Sequence, residues 1–257
     1  MKEFLIDIRT QLSSVNIQVL VLIVSFILTT ILGLIIIPIL KRFKVGQVVR
    51  DDGPQSHIKK TGTPTMGGIM MLIVSVAASL FFSKTYPTMV PVALVTLGFG
   101  IIGFIDDFKK LVLKNPKGLS PKLKMIGLFL VSGAFVAYLL YSGQGTDIYI
   151  PIVKTYITLP TIVYVLFTIF VMLACTNSLN LTDGLDGLAA GINAIIMIFF
   201  TFVCMAWGNK DMSIFSAIMV GTSLGFLLFN LHTAKVFMGD TGSLALRRCF
   251  LCSSNNA

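Results

Sequence analysis

The chain alternates long apolar runs with short polar connections. Each run holds about 20 or more residues without a charge, which is the length an α-helix needs to cross a bilayer. Seven such runs precede residue 235, and an eighth begins near Ser243 and is interrupted by Arg247 and Arg248. The pattern predicts an all-α fold, a polytopic transmembrane helical bundle with about seven complete spans and a partial eighth. The predicted helices are 17–40, 66–83, 88–105, 125–142, 158–175, 188–207 and 213–231.

Composition supports a membrane protein. Only 12% of the residues are charged and 55% are hydrophobic, whereas a soluble domain is about 25% charged. The net charge of +9 would suggest a nucleic-acid partner in a soluble protein. In a chain this apolar it is typical of cationic cytoplasmic loops. We therefore expect the lipid bilayer as a partner and no nucleic acid.

Basic residues are distributed unevenly between the two sides of the predicted bundle. Thirteen Lys and Arg lie in the loops after the odd-numbered spans, and five lie on the opposite side. The positive-inside rule places the odd-numbered loops in the cytoplasm. The same loops carry seven of the eleven acidic residues and both histidines. Polar chemistry is therefore predicted on the cytoplasmic face.

A polar segment between two apolar runs carries Asn177, Asn180, Asp183 and Asp186, each three residues from the last. If the segment is helical, these side chains form a stripe on one face. Carboxylates at the edge of the hydrocarbon are costly and usually functional. The alternative is a re-entrant turn in which Asn and Asp act only as helix caps.

Two adjacent carboxylates, Asp106 and Asp107, follow the third predicted helix. Adjacent carboxylates repel each other, which raises the proton affinity of at least one of them. The pair could ligate Mg²⁺ or accept a proton from a phosphate hydroxyl. The alternative is a solvated helix end. Carboxylates there interact unfavourably with the helix dipole, and Lys109 and Lys110 would offset this interaction.

Two glycine-rich segments have the composition of phosphate sites. Residues 47–68 contain Lys60 beside glycines and hydroxyls, which leave backbone N–H groups free for phosphate oxygens. This segment could equally be a juxtamembrane turn. Residues 239–243 begin the partial eighth run, where Asp240 is either an N-cap or a metal ligand beside phosphate-binding amides. Asn230 is expected near the same pocket.

A pocket of carboxylates, amides and lysines without a Cys/His cluster indicates a hard cation. Mg²⁺ together with phosphate groups is the expected occupant of such a pocket. The residues alone predict a membrane phosphotransferase that joins a water-soluble and a lipid-borne phosphate substrate. The alternative from another class is an ion-coupled transporter with intramembrane carboxylates. It predicts acids near the middle of spans, whereas these lie near span ends.

Three motifs carry a resemblance to a known family. Residues 47–68 contain Asp-Gly-Pro-x-Ser-His-x-x-Lys and Gly-Thr-Pro-Thr-Met-Gly-Gly, residues 180–189 read Asn-Leu-Thr-Asp-Gly-Leu-Asp-Gly-Leu-Ala, and residues 236–246 read Val-Phe-Met-Gly-Asp-Thr-Gly-Ser-Leu-Ala-Leu. Together they resemble the polyprenyl-phosphate N-acetylhexosamine-1-phosphate transferase superfamily. Within it they are most similar to the phospho-N-acetylmuramoyl-pentapeptide-transferase (MraY) family. The resemblance covers nearly the whole chain to Leu246.

The resemblance implies a reaction in bacterial peptidoglycan biosynthesis. Phospho-MurNAc-pentapeptide passes from UDP-MurNAc-pentapeptide to undecaprenyl phosphate, which gives lipid I and UMP with Mg²⁺ as cofactor. The implied location is the bacterial plasma membrane, with the active site on the cytoplasmic face. Direct attack of the lipid phosphate on the β-phosphate is favoured, and a two-step route through an aspartate stays open. The family alone suggests a homodimer.

The resemblance also implies individual roles. Asp240 matches the Mg²⁺ ligand and a catalytic residue. Asp106 and Asp107 match the catalytic aspartate pair, with Asp106 deprotonating the lipid phosphate. The residues that match substrate-binding positions are Lys60, Thr65, Lys110, Lys114, Lys122, Asn177, Asp183, Asp186 and Asn230.

The chain departs from the family after Leu246. The family continues to ten spans and a His-rich loop near the active site, whereas here residues 247–257 form an atypical tail. We therefore expect residues 1–257 to form a single membrane transferase domain that is truncated or frameshifted at its C-terminus. The alternatives are a related GlcNAc-1-phosphate transferase and an inactive fragment.

Overall fold

The computed structural model describes residues 16–42, 63–113, 115, 118–150 and 153–246. Within these residues the chain forms helices joined by short connections, with one β-hairpin. Residues 247–257 and most of the first glycine-rich segment lie outside the described residues. The elements are α1 (Ile17–Arg42), α2 (Gly68–Phe81), α3 (Met89–Leu111), α4 (Pro121–Tyr141), β1 (Asp147–Ile150), β2 (Thr155–Thr158), α5 (Thr161–Thr182), α6 (Leu188–Ala206), α7 (Lys210–Asn230) and α8 (Gly239–Leu246).

The helical bundle predicted from the apolar runs is confirmed. Six of the described helices, α1 and α3 to α7, are long and apolar enough to cross a membrane. The second predicted span is shorter than expected, because α2 has only 14 residues against the about 20 that a full crossing needs. Among the described residues, six helices are long enough for a complete span, one fewer than predicted.

Helix α7 lies at the centre of the bundle and is buried along most of its length. It packs against α1, α6 and α2, and the rings of Phe215 and Phe226 are almost wholly buried. The outer faces of α4 and α5 expose large apolar side chains such as Leu130, Leu166 and Phe170. Exposed apolar faces on membrane-length helices are the surface expected to face lipid.

Two helix boundaries differ from prediction in a way that builds the site. Helix α3 continues to Leu111, so the two carboxylates expected beyond its end are helical. Helix α4 begins at Pro121, four residues earlier than predicted, because the Ser120 side chain accepts a hydrogen bond from the Leu123 N–H and proline suits the first helical position. This places Lys124 in the first turn of α4.

A β-hairpin joins α4 to α5, where only a plain loop was expected. Strands β1 and β2 pair antiparallel, with Asp147 opposite Thr158 and Tyr149 opposite Tyr156. Each strand has four residues, too few for an alternating pattern to stand out beside the apolar runs.

Candidate active site

The short helix α8 crosses α3 and α2 at positions where only glycine fits. A Cβ atom added to Gly103 of α3 would lie 2.1 Å from the Asp240 carbonyl oxygen, and one added to Gly68 of α2 would lie 2.2 Å from the Gly242 Cα. Since no side chain can occupy that space, these two glycines bring the start of α8 against the C-terminal half of α3. The polar segments around residues 106 and 240 meet there.

Two carboxylates cap the N-terminus of α8. Asp107 accepts hydrogen bonds from the Asp240 N–H (3.2 Å), the Thr241 N–H (2.9 Å) and the Thr241 hydroxyl (2.7 Å). Asp183 accepts one from the Gly239 N–H (3.2 Å). These amides were predicted to bind phosphate. The structure corrects this, because protein carboxylates already accept from the first three N–H groups of α8 and satisfy its unpaired donors.

Next to this cap, two lysine ammonium groups form ion pairs with two carboxylates, Asp106 and Asp240. The Lys110 Nζ lies 2.9 Å from Asp106 Oδ2 and 2.7 Å from Asp240 Oδ2. The Lys124 Nζ lies 3.3 Å and 3.2 Å from the same two oxygens. Asp106 is almost fully buried, whereas the Lys110 side chain is 38% exposed. Charge-assisted contacts of this kind orient the side chains they join, and Lys110 remains accessible to an anionic ligand.

Asp106 and Asp107 are adjacent in sequence but contact different partners. Their predicted mutual repulsion had assumed that both carboxylates face the same place. The other Asp106 oxygen, Oδ1, accepts a hydrogen bond from the Leu119 N–H at 2.7 Å, and Oδ2 faces the lysines. Asp107 instead faces the N-terminus of α8. Consecutive residues on a helix point about 100° apart, so α3 directs the two carboxylates to different partners.

The stripe from Asn177 to Asp186 is only half helical. Helix α5 ends at Thr182, and Asp183 and Asp186 lie in the following turn. Asn180 accepts a hydrogen bond from the Ser243 hydroxyl at 2.9 Å. Asn177 donates to the Leu173 carbonyl within its own helix. The continuous helical stripe is therefore wrong, and the turn is what brings Asp183 to α8.

The far end of that turn is tied to the segment before α8. Asp186 accepts from the Ala234 N–H at 3.4 Å, and its Oδ2 lies 3.6 Å from His232 Nδ1. Asn230 is 2% exposed, accepts from the Gly187 N–H at 3.0 Å and donates to the Val236 carbonyl at 2.8 Å. Its amide thus joins the α5–α6 turn to the α7–α8 connection.

The Asn230→Ala substitution is expected to lower the free energy of unfolding by about 2 kcal/mol, because it leaves a buried N–H and a buried carbonyl unpaired. Thermal unfolding of the detergent-solubilised protein measures this. Asn177→Ala is the matched control, since its amide donates to the Leu173 carbonyl of its own helix and otherwise contacts only the Met125 sulfur, at 3.9 Å. Equal stability losses in the two variants would contradict the bridging role.

The remaining residues predicted to bind substrate lie in different parts of the chain. Thr65 is buried, and its hydroxyl oxygen would lie 2.9 Å from a Cβ atom added to Gly239, beside Asp107. The Lys122 side chain is exposed at the start of α4. Lys60 and Lys114 lie outside the described residues, so their roles remain predictions.

Sequence reasoning missed Lys124, Thr241 and Ser243. Lys124 was counted only among the loop lysines, although it contacts both Asp106 and Asp240. The signal that could have found it is Ser120-Pro121, an N-cap followed by proline. Starting α4 there would have placed Lys124 in a helical turn at the edge of the site.

The donor set fits a hard divalent cation. Asp106 and Asp240 contact the two ammonium groups, and Asp107 and Asp183 accept from the first amides of α8 beside them, so the four carboxylates exceed the two lysines by two formal negative charges. Burial raises the pKa of Asp183 to about 7, the Gly239 N–H opposes this, and the charges of Asp240 and Asp107 add to it. Burial is the largest of these causes, and the two neighbouring carboxylates act in the same direction. A bound cation would relieve the excess charge.

The described residues hold no cluster of three or more His, Cys, Asp or Glu side chains arranged as a metal cage. Mg²⁺ is usually held by one or two carboxylates together with water and substrate phosphates. Asp240 and Asp183 fit that pattern. They reach the site from α8 and from the α5–α6 turn.

Comparison with known proteins gives consistent results. The family described as "Glycosyl transferase family 4" matches residues 89–252. The chain is 46% identical over 228 residues to the phospho-N-acetylmuramoyl-pentapeptide-transferase of Caldicellulosiruptor bescii, covering 89% of this chain and 71% of that protein. It is 48% identical to the Acetivibrio thermocellus protein of the same name (89% and 70% covered). The corresponding Bacillus subtilis protein is 44% identical (88% and 70% covered).

Proposed function

Because the chain belongs to glycosyl transferase family 4, and within it to the phospho-N-acetylmuramoyl-pentapeptide-transferases, we propose that it transfers phospho-MurNAc-pentapeptide from UDP-MurNAc-pentapeptide to undecaprenyl phosphate. The products are lipid I and UMP, in peptidoglycan synthesis. The observation that supports this most directly is the network of Lys110 and Lys124 with Asp106 and Asp240 at one end of a membrane bundle.

The proposed chemistry is a single displacement at phosphorus. An oxygen of the lipid phosphate attacks the β-phosphorus of the UDP-sugar, the bond from that phosphorus to the bridging oxygen breaks, and UMP leaves with the electron pair. Transfers of this type depend on positioning and on stabilising charge spread over phosphate oxygens. A site at the end of membrane-length helices is accessible both to a soluble nucleotide and to a lipid phosphate.

The two lysines are the residues suited to bind phosphate. Lys110 and Lys124 are held between two carboxylates, so their ammonium groups are already oriented before a substrate arrives. An incoming phosphate group would replace part of the carboxylate contact with each lysine. Pre-oriented cations stabilise developing charge without reorganisation at the moment of reaction.

Asp106 supports this arrangement as an orienting residue. Both of its oxygens accept hydrogen bonds, so removing a proton from a lipid phosphate would require those contacts to rearrange. A phosphate monoester has a second pKa of about 6 and is mostly dianionic at neutral pH. A strong base is therefore not required for attack. The role of Asp106 as a base remains a prediction.

Mg²⁺ is the cofactor we propose, with Asp240 as its principal ligand and Asp183 beside it. When bound there it would neutralise charge on the diphosphate and on the departing UMP. The cytoplasmic face of the plasma membrane is the proposed location of the site, because the basic residues are concentrated at the same end. The homodimer remains a prediction from the family.

The proposed function is tested with the full chain in phospholipid vesicles that contain undecaprenyl phosphate. Each UDP-sugar is supplied separately, with and without Mg²⁺, and the lipid-linked product and UMP are measured. We expect lipid-linked product only from UDP-MurNAc-pentapeptide and only with Mg²⁺. Product from UDP-GlcNAc alone would favour the related transferase, and ion flux without any lipid-linked product would favour a transporter.

Lys124→Met is expected to lower kcat/KM by about 10- to 100-fold, the usual loss when a partner of a metal-binding carboxylate is removed. Lys122→Met is the matched comparison, because Lys122 lies two residues away and is exposed. We expect the smaller loss from Lys122→Met. A larger loss from Lys122→Met would assign the phosphate contact to Lys122 and contradict the geometry.

A further inference from the structure

All tyrosines and the only tryptophan of the chain lie at one end of the bundle. The chain contains six Tyr and one Trp. Each lies in a connection or terminal turn at the end of the helices opposite the carboxylate site, roughly 30 Å away along helices of about 20 residues. These residues are Tyr86 before α3, Tyr138 and Tyr141 at the end of α4, Tyr149 and Tyr156 in the hairpin, Tyr164 in the first turn of α5 and Trp207 after α6.

The hairpin and the end of α6 are joined by three of these rings. Tyr149 and Tyr156 are opposite each other in the strand register, with ring centroids 5.0 Å apart. The Tyr149 ring also meets Trp207 edge to face at 5.7 Å. Aromatic pairs in this geometry add about 1 kcal/mol each beyond their buried area. The hairpin is therefore held against the α6–α7 turn.

Several rings of this group are exposed, whereas Tyr164 is buried. Tyr141 is 93% exposed, Tyr156 is 52% exposed and Trp207 is 48% exposed. Tyr and Trp have an apolar body and one polar tip, and for this reason they concentrate where hydrocarbon gives way to lipid headgroups. The ends of membrane-length helices lie at that depth.

Charge at the same level fits a phospholipid surface. Lys84 and Lys154 are exposed in the connections at this end, and Lys210 is exposed at the first position of α7. Lysine side chains extend their apolar stems along lipid and place the ammonium group among the phosphates. Aromatic rings and ammonium groups together match a headgroup layer better than a purely apolar protein partner.

We propose that the β-hairpin with Tyr141 and Trp207, here called the aromatic anchor, lies in the headgroup region of the leaflet opposite the carboxylate site. It sets the depth of the bundle at that surface. The anchor joins the α4–α5 connection to the α6–α7 turn, and α5 and α6 pack only slightly against each other. It thereby holds those two helix pairs at one level in the membrane.

Because Trp207 is the only tryptophan, its fluorescence reports the depth of the anchor directly. The full chain is placed in phosphatidylcholine vesicles brominated either near the headgroup end of the acyl chains or near the bilayer centre, and acrylamide is added from the water. We expect the shallow bromines to remove the most emission, the deep bromines little, and acrylamide an intermediate share. The Trp207→Phe variant supplies the background.

Other outcomes overturn the proposal. Full quenching by acrylamide without an effect of bromine places Trp207 in water. Strongest quenching by the deep bromines places it in hydrocarbon, and protection from both quenchers means that protein covers it. A second probe is independent of Trp207: Tyr141→Trp, combined with Trp207→Phe, moves the single indole to the end of α4. The same shallow profile is expected there, and a deep or fully aqueous profile at that position contradicts the anchor.

Discussion

Asp240→Asn is expected to reduce Mg²⁺-dependent formation of lipid-linked product by on the order of 10³-fold. The amide keeps the shape of the side chain but loses the negative charge that faces Lys110 and Lys124 and that would hold the cation. A bound metal stabilises transition-state charge by several kcal/mol, and each 1.36 kcal/mol corresponds to about tenfold in rate. Product formation is measured in vesicles over a series of Mg²⁺ concentrations.

The control for this variant lies at the other end of the bundle. Asp211→Asn changes a half-buried carboxylate that accepts hydrogen bonds from Thr88, and we expect it to leave turnover and its Mg²⁺ dependence near those of the parent chain. Near-normal turnover of Asp240→Asn with an unchanged Mg²⁺ requirement would remove Asp240 from the metal site.

Asp107→Ala is expected to lose both stability and activity. The carboxylate is 4% exposed and accepts three hydrogen bonds from the first turn of α8. Removing it leaves buried donors unpaired and deletes the cap of α8, which should cost about 3 kcal/mol of unfolding free energy. Thermal unfolding in detergent gives the stability loss, and initial rates give the activity loss.

A graded series separates positioning by Asp107 from direct catalysis. Thr241→Val removes only one of the three donors and should cost about 1 kcal/mol with a small change in rate. Asp107→Asn keeps one acceptor oxygen, and if Asp107 acts by positioning Asp240 it should raise the Mg²⁺ concentration for half-maximal turnover. A fall in kcat alone, with stability and Mg²⁺ requirement unchanged, would assign Asp107 a direct catalytic role instead.

Local sequence signals predicted the helices well and their ends less well. Apolar length alone located α1 and α3 to α7, because a membrane-length run has few alternatives. The end of α3 was placed six residues early, since Asp106 and Asp107 read as a boundary while the helix continues through them. The buried partners that allow those carboxylates inside a helix lie elsewhere in the chain.

The sequence indicated which residues form the site but not which of them contact each other. Asp106, Asp107, Asp183 and Asp240 were all selected from the sequence. The structure places Asp107 and Asp183 against the start of α8 and links Asp106 to Asp240 through Lys110 and Lys124. Their individual partners differ from expectation, because pairing depends on how α8 crosses α3 at Gly103. No local pattern encodes that crossing.

By itself the sequence determined the class of protein, its membrane-length helices and the acidic and basic residues available for phosphate chemistry, because apolar length and charge are properties of short segments. Only the tertiary structure decided that Asp107 caps α8 while Asp106 orients two lysines, and that Lys124 belongs to the site. These contacts join residues as far apart as 134 positions. Their geometry therefore follows from helix packing and from the need to satisfy buried donors and charges.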